Sequence, residues 1–206
     1  KFFMLVTVVA MMLTPFIFKL GPVVAKLIES RLPKKEYKDN LKITEEDDHV
    51  VIIGLGTVGK LVADVLTKQM ISYIAYEING KKVQTLKAQD YRVNYGDARN
   101  KHFWEQLVGK NIDMAVILID DFQSTKLILK SIRKSFPMLP VYVKTKEYTE
   151  IHEACDIGAN TVVAESLESS LRIASIVMEK LGLKKEESTE AIESTREQIL
   201  SGLKAS

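Results

Sequence analysis

The chain has 206 residues, 46% of them hydrophobic, which suffices for one domain with a sizeable core and excludes an intrinsically disordered protein. Lysine and arginine number 29 against 27 aspartate and glutamate residues, and this near balance gives no support to a nucleic-acid partner. The single cysteine, Cys155, is expected as a small apolar residue on a helix in a reducing, cytosolic setting, and neither it nor the three histidines show the spacing of a metal site.

The first segment of the chain is apolar. Residues 2–18 hold no charged side chain, which predicts part of a transmembrane helix, slightly short of the roughly 20 residues that span a bilayer. The alternative is a buried helix of a soluble protein. Because the apolar run starts abruptly at Lys1, we expect a chain cut from a larger protein. Basic residues follow and place that side in the cytoplasm by the positive-inside rule: Lys19, Lys26, Arg31, Lys34, Lys35 and Lys38.

A change of composition separates this segment from the rest. Residues 1–29 are assigned to the membrane part, and residues 30–48, rich in Lys, Glu and Asp and without apolar periodicity, are predicted to be a linker.

A glycine-rich turn then follows a short buried strand. Residues 50–53 form a β-branched run, and the sequence GLGTVG, comprising Gly54, Leu55, Gly56, Thr57, Val58 and Gly59, has the spacing G-x-G-x-x-G before a helical pattern. In such a turn the first glycine permits the tight bend, the second lets backbone approach a phosphate and the third lets the helix pack on its strand. Purely steric reasons for these glycines are the alternative.

The second predicted strand ends in an acid. Residues 72–78 carry Glu77, which stands close to the roughly 20-residue interval at which this kind of fold presents a carboxylate to ribose hydroxyls. A ligand of the adenosine type is therefore the leading hypothesis.

A third strand, residues 91–95, leads to Asp97. Because strand ends line the ligand crevice, Asp97 is placed where it could accept a hydrogen bond from an adenine amino group. The alternative role is to cap the helix predicted near Lys101, and both roles could coexist. The fourth strand, residues 114–119, ends at Asp120, which we include in the predicted nucleotide site.

Strands and helices continue to alternate along the chain. Further strands are predicted at residues 141–144 and 161–164, with helices at 122–135, 147–157 and 167–181. This alternation predicts an α/β fold with a doubly wound, parallel, Rossmann-like sheet. The domain is assigned to residues 49–183, and residues 184–206 are predicted to form a charged helical tail that packs on a neighbour or hangs free.

These motifs together resemble a known family. Residues 49–181, with GLGTVG, YEIN, YGDA, ILIDD and the closing IGANTVVAESLESSLRIA, are similar to the RCK/KTN (TrkA-N type) regulatory domain of bacterial potassium channels and transporters. Residues 2–27 resemble the last membrane helix of Kef-type monovalent cation:proton antiporters. The resemblance implies a nucleotide-sensing regulatory domain of a potassium (monovalent cation):proton antiporter at the cell inner membrane, with the domain itself in the cytoplasm and no enzymatic activity.

The resemblance also implies a ligand and partners. AMP or NAD(H) is the expected ligand, with phosphate at Gly54 to Gly59, ribose at Glu77 and adenine at Asp97 and Ala98. A homodimer and the membrane domain of the same antiporter are the expected partners. Glutathione-gated Kef proteins carry YGDATR, whereas here Arg99 directly follows Ala98, so the arginine stands one position earlier. On an exposed turn this shift points its side chain in a different direction. The alternative is that Arg99 is a solvated surface residue.

Two other functions follow from the same motifs. An NAD-dependent oxidoreductase would need a substrate domain and a proton-transfer residue, for which His102 and His152 are the candidates, although neither lies in a recognisable catalytic context. A gating ring of a potassium channel could be built from the same domain, but the antiporter-like membrane helix argues against it.

Overall fold

The computed structural model describes residues 50–205 together with Phe3 and Met11. Apart from those two residues, the predicted membrane segment and the predicted linker lie outside the described part. Within that part, no helix combines the length and the apolar character that crossing a lipid bilayer demands.

Strands and helices alternate through the described domain. The strands are β1 (Val50–Ile53), β2 (Tyr73–Glu77), β3 (Val93–Tyr95), β4 (Met114–Ile117), β5 (Val141–Thr145) and β6 (Thr161–Ala164). The helices are α1 (Thr57–Lys68), α2 (Gly80–Lys87), α3 (Lys101–Glu105), α4 (Phe122–Ser135), α5 (Ile151–Ile157), α6 (Glu165–Lys180) and α7 (Lys185–Ala205), and the 3₁₀ turn Tyr148–Glu150 leads into α5.

The six strands form one parallel sheet with the order β3-β2-β1-β4-β5-β6. This order confirms the predicted doubly wound α/β fold. Strand β1 is central, since Val50 lies beside Tyr73 of β2 on one side and beside Met114 of β4 on the other. The strand order reverses between β1 and β4, and ligands of such sheets bind outside the carboxyl ends of the strands at that point.

The sheet separates two hydrophobic clusters. Side chains alternate along β1, so that Val51 and Ile53 belong to the cluster that includes Trp104 and Ile132, whereas Val50 and Ile52 belong to the one with Ala63, Val83 and Leu86. Because both faces are covered, β1 is apolar throughout, as its sequence predicted.

The C-terminal tail is helical and packs on its own chain. Residues Ile192, Ile199 and Leu200 of α7 contact a cluster formed by Ala164, Leu167 and Leu171. The guanidinium group of Arg196 binds both carboxylate oxygens of Glu168 on α6, one of them at 3.1 Å. Within the described residues, the tail is therefore held against the preceding helix of its own chain.

Two of the three motif glycines are required by the fold. Gly54 has a φ of +93°, which L side chains rarely adopt, and a Cβ atom there would lie 2.6 Å from Ile119 Cγ2. A Cβ atom on Gly59 would lie 2.2 Å from the carbonyl oxygen of Gly54. The first turn of α1 is therefore pressed against the end of β1, in agreement with the steric roles predicted for the first and third glycines.

Replacing Gly59 with alanine should destabilise the domain. Alanine is intrinsically better than glycine in a helix by about 1 kcal/mol. The clash with backbone outweighs that gain, because overpacking typically costs about 1–3 kcal/mol and a backbone oxygen cannot rotate away. The midpoint of urea unfolding should fall for Gly59→Ala. In the control Gly80→Ala the new methyl group meets no atom of the described chain within 4 Å outside its chain neighbours and its own helix backbone, so the midpoint should stay or rise slightly. Equal midpoints for both variants would contradict the close approach of Gly59 to the Gly54 carbonyl.

Candidate functional site

Two neighbouring cavities lie at the carboxyl ends of the central strands. The first, of about 220 Å³, has a mainly apolar lining that includes Ile53, Tyr76, Ile78, Ile119 and Ile128 and a rim that includes Glu77, Asp97 and Asp120. The second, of about 350 Å³, is more polar and is lined by the glycine turn, by three lysines and by carboxylates. Both cavities share Gly54, Glu77, Ile119 and Asp120 in their linings, so they form one crevice at the point where the strand order reverses.

The glycine turn presents backbone to the second cavity. Gly56 is the N-cap of α1, and no side chain caps this helix end or places an acid in its first turn. A Cβ atom on Gly56 would have no atom of the described chain within 4 Å other than its immediate neighbours. The fold therefore does not need glycine at this position, whereas an anion that approaches the first N–H groups of α1 does.

Glu77 ends β2 inside the crevice and is only 8% exposed. Its Oε2 lies 2.5 Å from Nζ of Lys82, and its Oε1 accepts a hydrogen bond from the backbone N–H of Asn79 at 3.2 Å. An ionised carboxylate has about four acceptor positions, so it retains capacity for two ribose hydroxyls. Lys82 offsets the negative charge that a ligand would meet.

Asp97 lies at the rim of the apolar cavity, bound to Arg99. The Arg99 side chain donates from Nε to Oδ1 and from Nη2 to Oδ2, each at 2.8 Å. These hydrogen bonds hold the pKa of Asp97 below its usual range, so the group is a carboxylate, and only an acceptor, at neutral pH. Arg99 is exposed, as expected for a solvated surface residue, and its guanidinium group is in addition paired with Asp97.

The capping role considered for Asp97 is wrong. Asn100 is the N-cap of α3, and its side chain accepts from the backbone N–H of His102 at 3.0 Å. The turn between Asp97 and Asn100 is instead held by a hydrogen bond from a buried side chain of α3. The buried indole of Trp104 donates from Nε1 to the carbonyl oxygen of Ala98 at 2.8 Å, which fixes Ala98 in the wall of the apolar cavity.

Asp120 follows β4 and binds a buried lysine. Its Oδ1 lies 2.5 Å from Nζ of Lys144 on β5, and this hydrogen bond is the main reason that the pKa of Asp120 is lowered. The same ammonium group lies 3.5 Å from Oε1 of Glu165 at the start of α6. Asp120 is therefore ionised, and it stands where the two cavities join.

The crevice collects most of the predicted site residues. Eight of them line one or both cavities, namely Gly54, Gly56, Thr57, Val58, Glu77, Asp97, Ala98 and Asp120. Two others do not: Leu55 is fully buried with its side chain in the core, and Gly59 faces the end of β1. Both can contribute to a site only through the backbone that they position.

Neither candidate catalytic histidine belongs to the lining of these cavities. His102 is exposed and pairs with Glu105, and His152 is exposed and pairs with Asp156.

Sequence reasoning missed the basic partners of the acids. Lys144 could have been noticed, because a lysine is unusual in a buried parallel strand that is otherwise mostly apolar. Lys82 carried none, since its partner Glu77 lies on the preceding strand and no helical spacing relates the two.

The comparison with known proteins agrees with this fold. Among curated relatives, K(+) efflux antiporter 2, chloroplastic, of Arabidopsis thaliana is 27% identical over 203 residues, which cover 97% of this chain but 17% of that relative. The chain spans between 17% and 25% of the length of the curated relatives that it matches first.

Two solved structures show the same fold. The Kef C-terminal domain of Shewanella denitrificans, in an AMP-bound form, superposes with a TM-score of 0.65 at 20% identity and covers 76% of this chain and 95% of its own. The GsuK channel bound to NAD superposes with a TM-score of 0.58 at 19% identity and covers 79% of this chain and 29% of its own.

A family model places the domain. The TrkA-N domain model matches residues 50–165, from the first strand to the start of α6, which is more than half of the chain. The resemblance stated from the glycine motif and the strand-end acids is confirmed, and the chain belongs to the TrkA-N domain family.

Proposed function

We propose that this chain is part of a potassium (monovalent cation):proton antiporter and that residues 49–183 are its cytosolic nucleotide-sensing domain. The observation that carries the proposal is Gly56, whose backbone is open to the crevice at an uncapped helix end although the fold does not need glycine there. The similarity to a K(+) efflux antiporter and to an AMP-bound Kef domain supports the transport context and the class of ligand.

The expected ligand is AMP or NAD(H), bound across the crevice. Its adenine would lie in the apolar cavity beside Ala98, with the amino group donating to Asp97. Its ribose hydroxyls would donate to Glu77, and its phosphate would accept from the first N–H groups of α1 at Gly56 and Thr57.

Regulation would require two arrangements of the protein. A ligand shifts a conformational equilibrium only by its differential affinity for the two states. We propose that a homodimer of this domain supplies those states and that residues 30–48 transmit the change to the membrane domain at the cytoplasmic face of the inner membrane. No catalytic step is part of this function, and the exposed positions of His102 and His152, outside the lining of both cavities, support leaving these residues out of it.

The first test asks whether nucleotide stabilises the chain without being consumed. Bound ligand raises stability by about 2.7 kcal/mol at one hundred times its dissociation constant. We expect AMP or NADH to raise the melting temperature of the purified chain. Gly56→Val should melt somewhat lower without ligand, because valine is a poorer N-cap than glycine, and should gain no stabilisation from nucleotide, whereas the control Gly80→Ala keeps it.

The same preparations are assayed for NADH oxidation with small carbonyl compounds. Steady oxidation that disappears in His102→Ala or His152→Ala would show an oxidoreductase and contradict the proposed sensor. If adenine nucleotides gave no stabilisation, the proposed nucleotide binding would be wrong.

The second test concerns the ribose contact. Glu77→Ala removes a charged hydrogen-bond acceptor, a loss worth about 1.5–3 kcal/mol, so the dissociation constant for AMP should rise by roughly tenfold or more. Calorimetric titration measures it, with Glu105→Ala, an exposed carboxylate on α3, as control. Equal affinities in wild type and Glu77→Ala would take Glu77 out of the site.

The third test concerns the ribose 2′ position. Glu77 should repel a 2′-phosphate, so NADP(H) should bind more weakly than NAD(H). Lys82, which pairs with Glu77, attracts the same phosphate, and Lys82→Met should therefore widen the difference. Competition titrations of both ligands measure the ratio, and a preference of the wild-type chain for NADP(H) would show that Glu77 is misplaced.

A further inference from the structure

One wall of the apolar cavity is a short turn between β3 and α3, residues 96–100. Asp97, Ala98 and Arg99 of this turn belong to the cavity lining. A hydrogen bond from the backbone N–H of Asn100 to the carbonyl oxygen of Asp97, at 3.1 Å, closes the turn. Because these residues belong to neither a strand nor a helix, the place of the wall depends on what else their backbone groups bind.

Two successive carbonyl groups of the turn accept hydrogen bonds from buried side chains. The Ala98 carbonyl accepts from the indole of Trp104 at 2.8 Å, and the Arg99 carbonyl accepts from Oγ of Ser131 at 3.0 Å. Trp104 lies on α3, the helix that directly follows the turn, whereas Ser131 lies on α4. The bond from Ser131 therefore ties the cavity wall to a helix that is distant in sequence.

Packing alone does not explain a serine at position 131. Its residue is 8% exposed, on a face of α4 that otherwise places Ile128, Leu129 and Ile132 in the hydrophobic cluster. A buried hydroxyl group is costly unless it is hydrogen-bonded, and alanine would occupy this face without that cost. The bond to the Arg99 carbonyl is what the hydroxyl of Ser131 contributes.

The Arg99 backbone in turn determines where the Asp97 carboxylate lies. The backbone N–H of Arg99 donates to Oδ1 of Asp97 at 3.1 Å, and its guanidinium group binds both carboxylate oxygens at 2.8 Å. A shift of the Arg99 backbone therefore moves the carboxylate with it. Hydrogen bonds weaken steeply when donor and acceptor are misaligned, so a small rotation of Asp97 would weaken its bond to an adenine amino group.

We propose that Ser131 is a positioning residue of the nucleotide site, which holds the Asp97 carboxylate in line with the base through the Arg99 backbone and so gives the crevice its preference for adenine over hypoxanthine. This inference rests on the proposed adenine-nucleotide site and concerns how that site selects its base. Ser131 acts without touching the ligand, because its hydroxyl group is turned to the Arg99 carbonyl and it belongs to the lining of neither cavity.

The experiment compares two nucleotides that differ at position 6 of the purine. AMP has an amino group there, which can donate to Asp97, whereas IMP has an oxygen, which a carboxylate repels. Both are titrated by calorimetry into the full wild-type chain and into Ser131→Ala. The wild-type chain should bind AMP about tenfold or more tightly than IMP. In Ser131→Ala this ratio should fall severalfold, because AMP affinity drops while IMP affinity stays within about twofold.

Thr125→Val is the matched control on the same helix. It removes another buried hydroxyl, which donates to the Asp121 carbonyl at 3.2 Å, and that carbonyl keeps its bond from the backbone N–H of residue 125. The variant should lower the midpoint of urea unfolding, as Ser131→Ala does, but leave the ratio of AMP to IMP affinity unchanged. This ratio separates positioning of the base from a general loss of stability.

A second variant, Ser131→Cys, keeps the test valid if Ser131→Ala does not fold. Cysteine nearly keeps the shape of serine but is a weak donor, so the ratio should fall here too. Equal losses of AMP and IMP affinity in these variants, an unchanged ratio, or a wild-type chain that binds AMP and IMP equally would overturn the proposal. A wild-type chain that binds neither nucleotide would instead overturn the proposed function on which it rests.

Discussion

The close approach of α1 to the end of β1 is the constraint on which the rest of the crevice depends. The turn can bend this tightly only because Gly54 adopts a positive φ and because Gly59 carries no side chain against the Gly54 carbonyl. This contact aims the helix N-terminus at the point where the strand order reverses. The strand-end acids reach the same point because parallel strands end at one edge of the sheet.

Three acids of the crevice are paired with basic side chains of the same chain: Glu77 with Lys82, Asp97 with Arg99 and Asp120 with Lys144. Under the proposed function, a nucleotide would compete with these ion pairs for the acids and bases of the crevice. Selectivity then depends on how easily each pair opens, and the pairs differ, since Lys144 is buried whereas Arg99 is 43% exposed.

The sequence was a good guide to the sheet and a partial guide to the site. The β-branched run of β1 and the apolar run of β4 have an unambiguous pattern, and helix α4 was predicted with its observed limits because Asp121 caps it and Phe136 ends it before two prolines. Glu77 and Asp97 were predicted to follow the ends of two strands, and the structure has them there. Parallel topology then brings both residues to the same edge of the sheet.

Contacts between distant elements were not predictable in the same way. The pair of Lys144 and Asp120 joins two strands that are neighbours only once the sheet order is known. The capping role of Asn100 could not be separated from that of Asp97, because both residues precede a helix of only five residues and both side chains are good caps. Among the described side chains of α7, three apolar residues and one arginine pack on the elements before it, too few to produce a clear periodic pattern.

The three glycines of the motif differ in what would maintain them over evolutionary time. Gly54 and Gly59 are required by the fold, so replacing either one destabilises the domain whether or not a ligand binds. Under the proposed function, Gly56 is maintained by the ligand, because the described chain leaves space for a side chain at that position. A lineage that gave up nucleotide sensing while keeping the domain as a structural part would lose the middle glycine first. The identity of that one residue therefore separates sensing from purely structural copies of the domain.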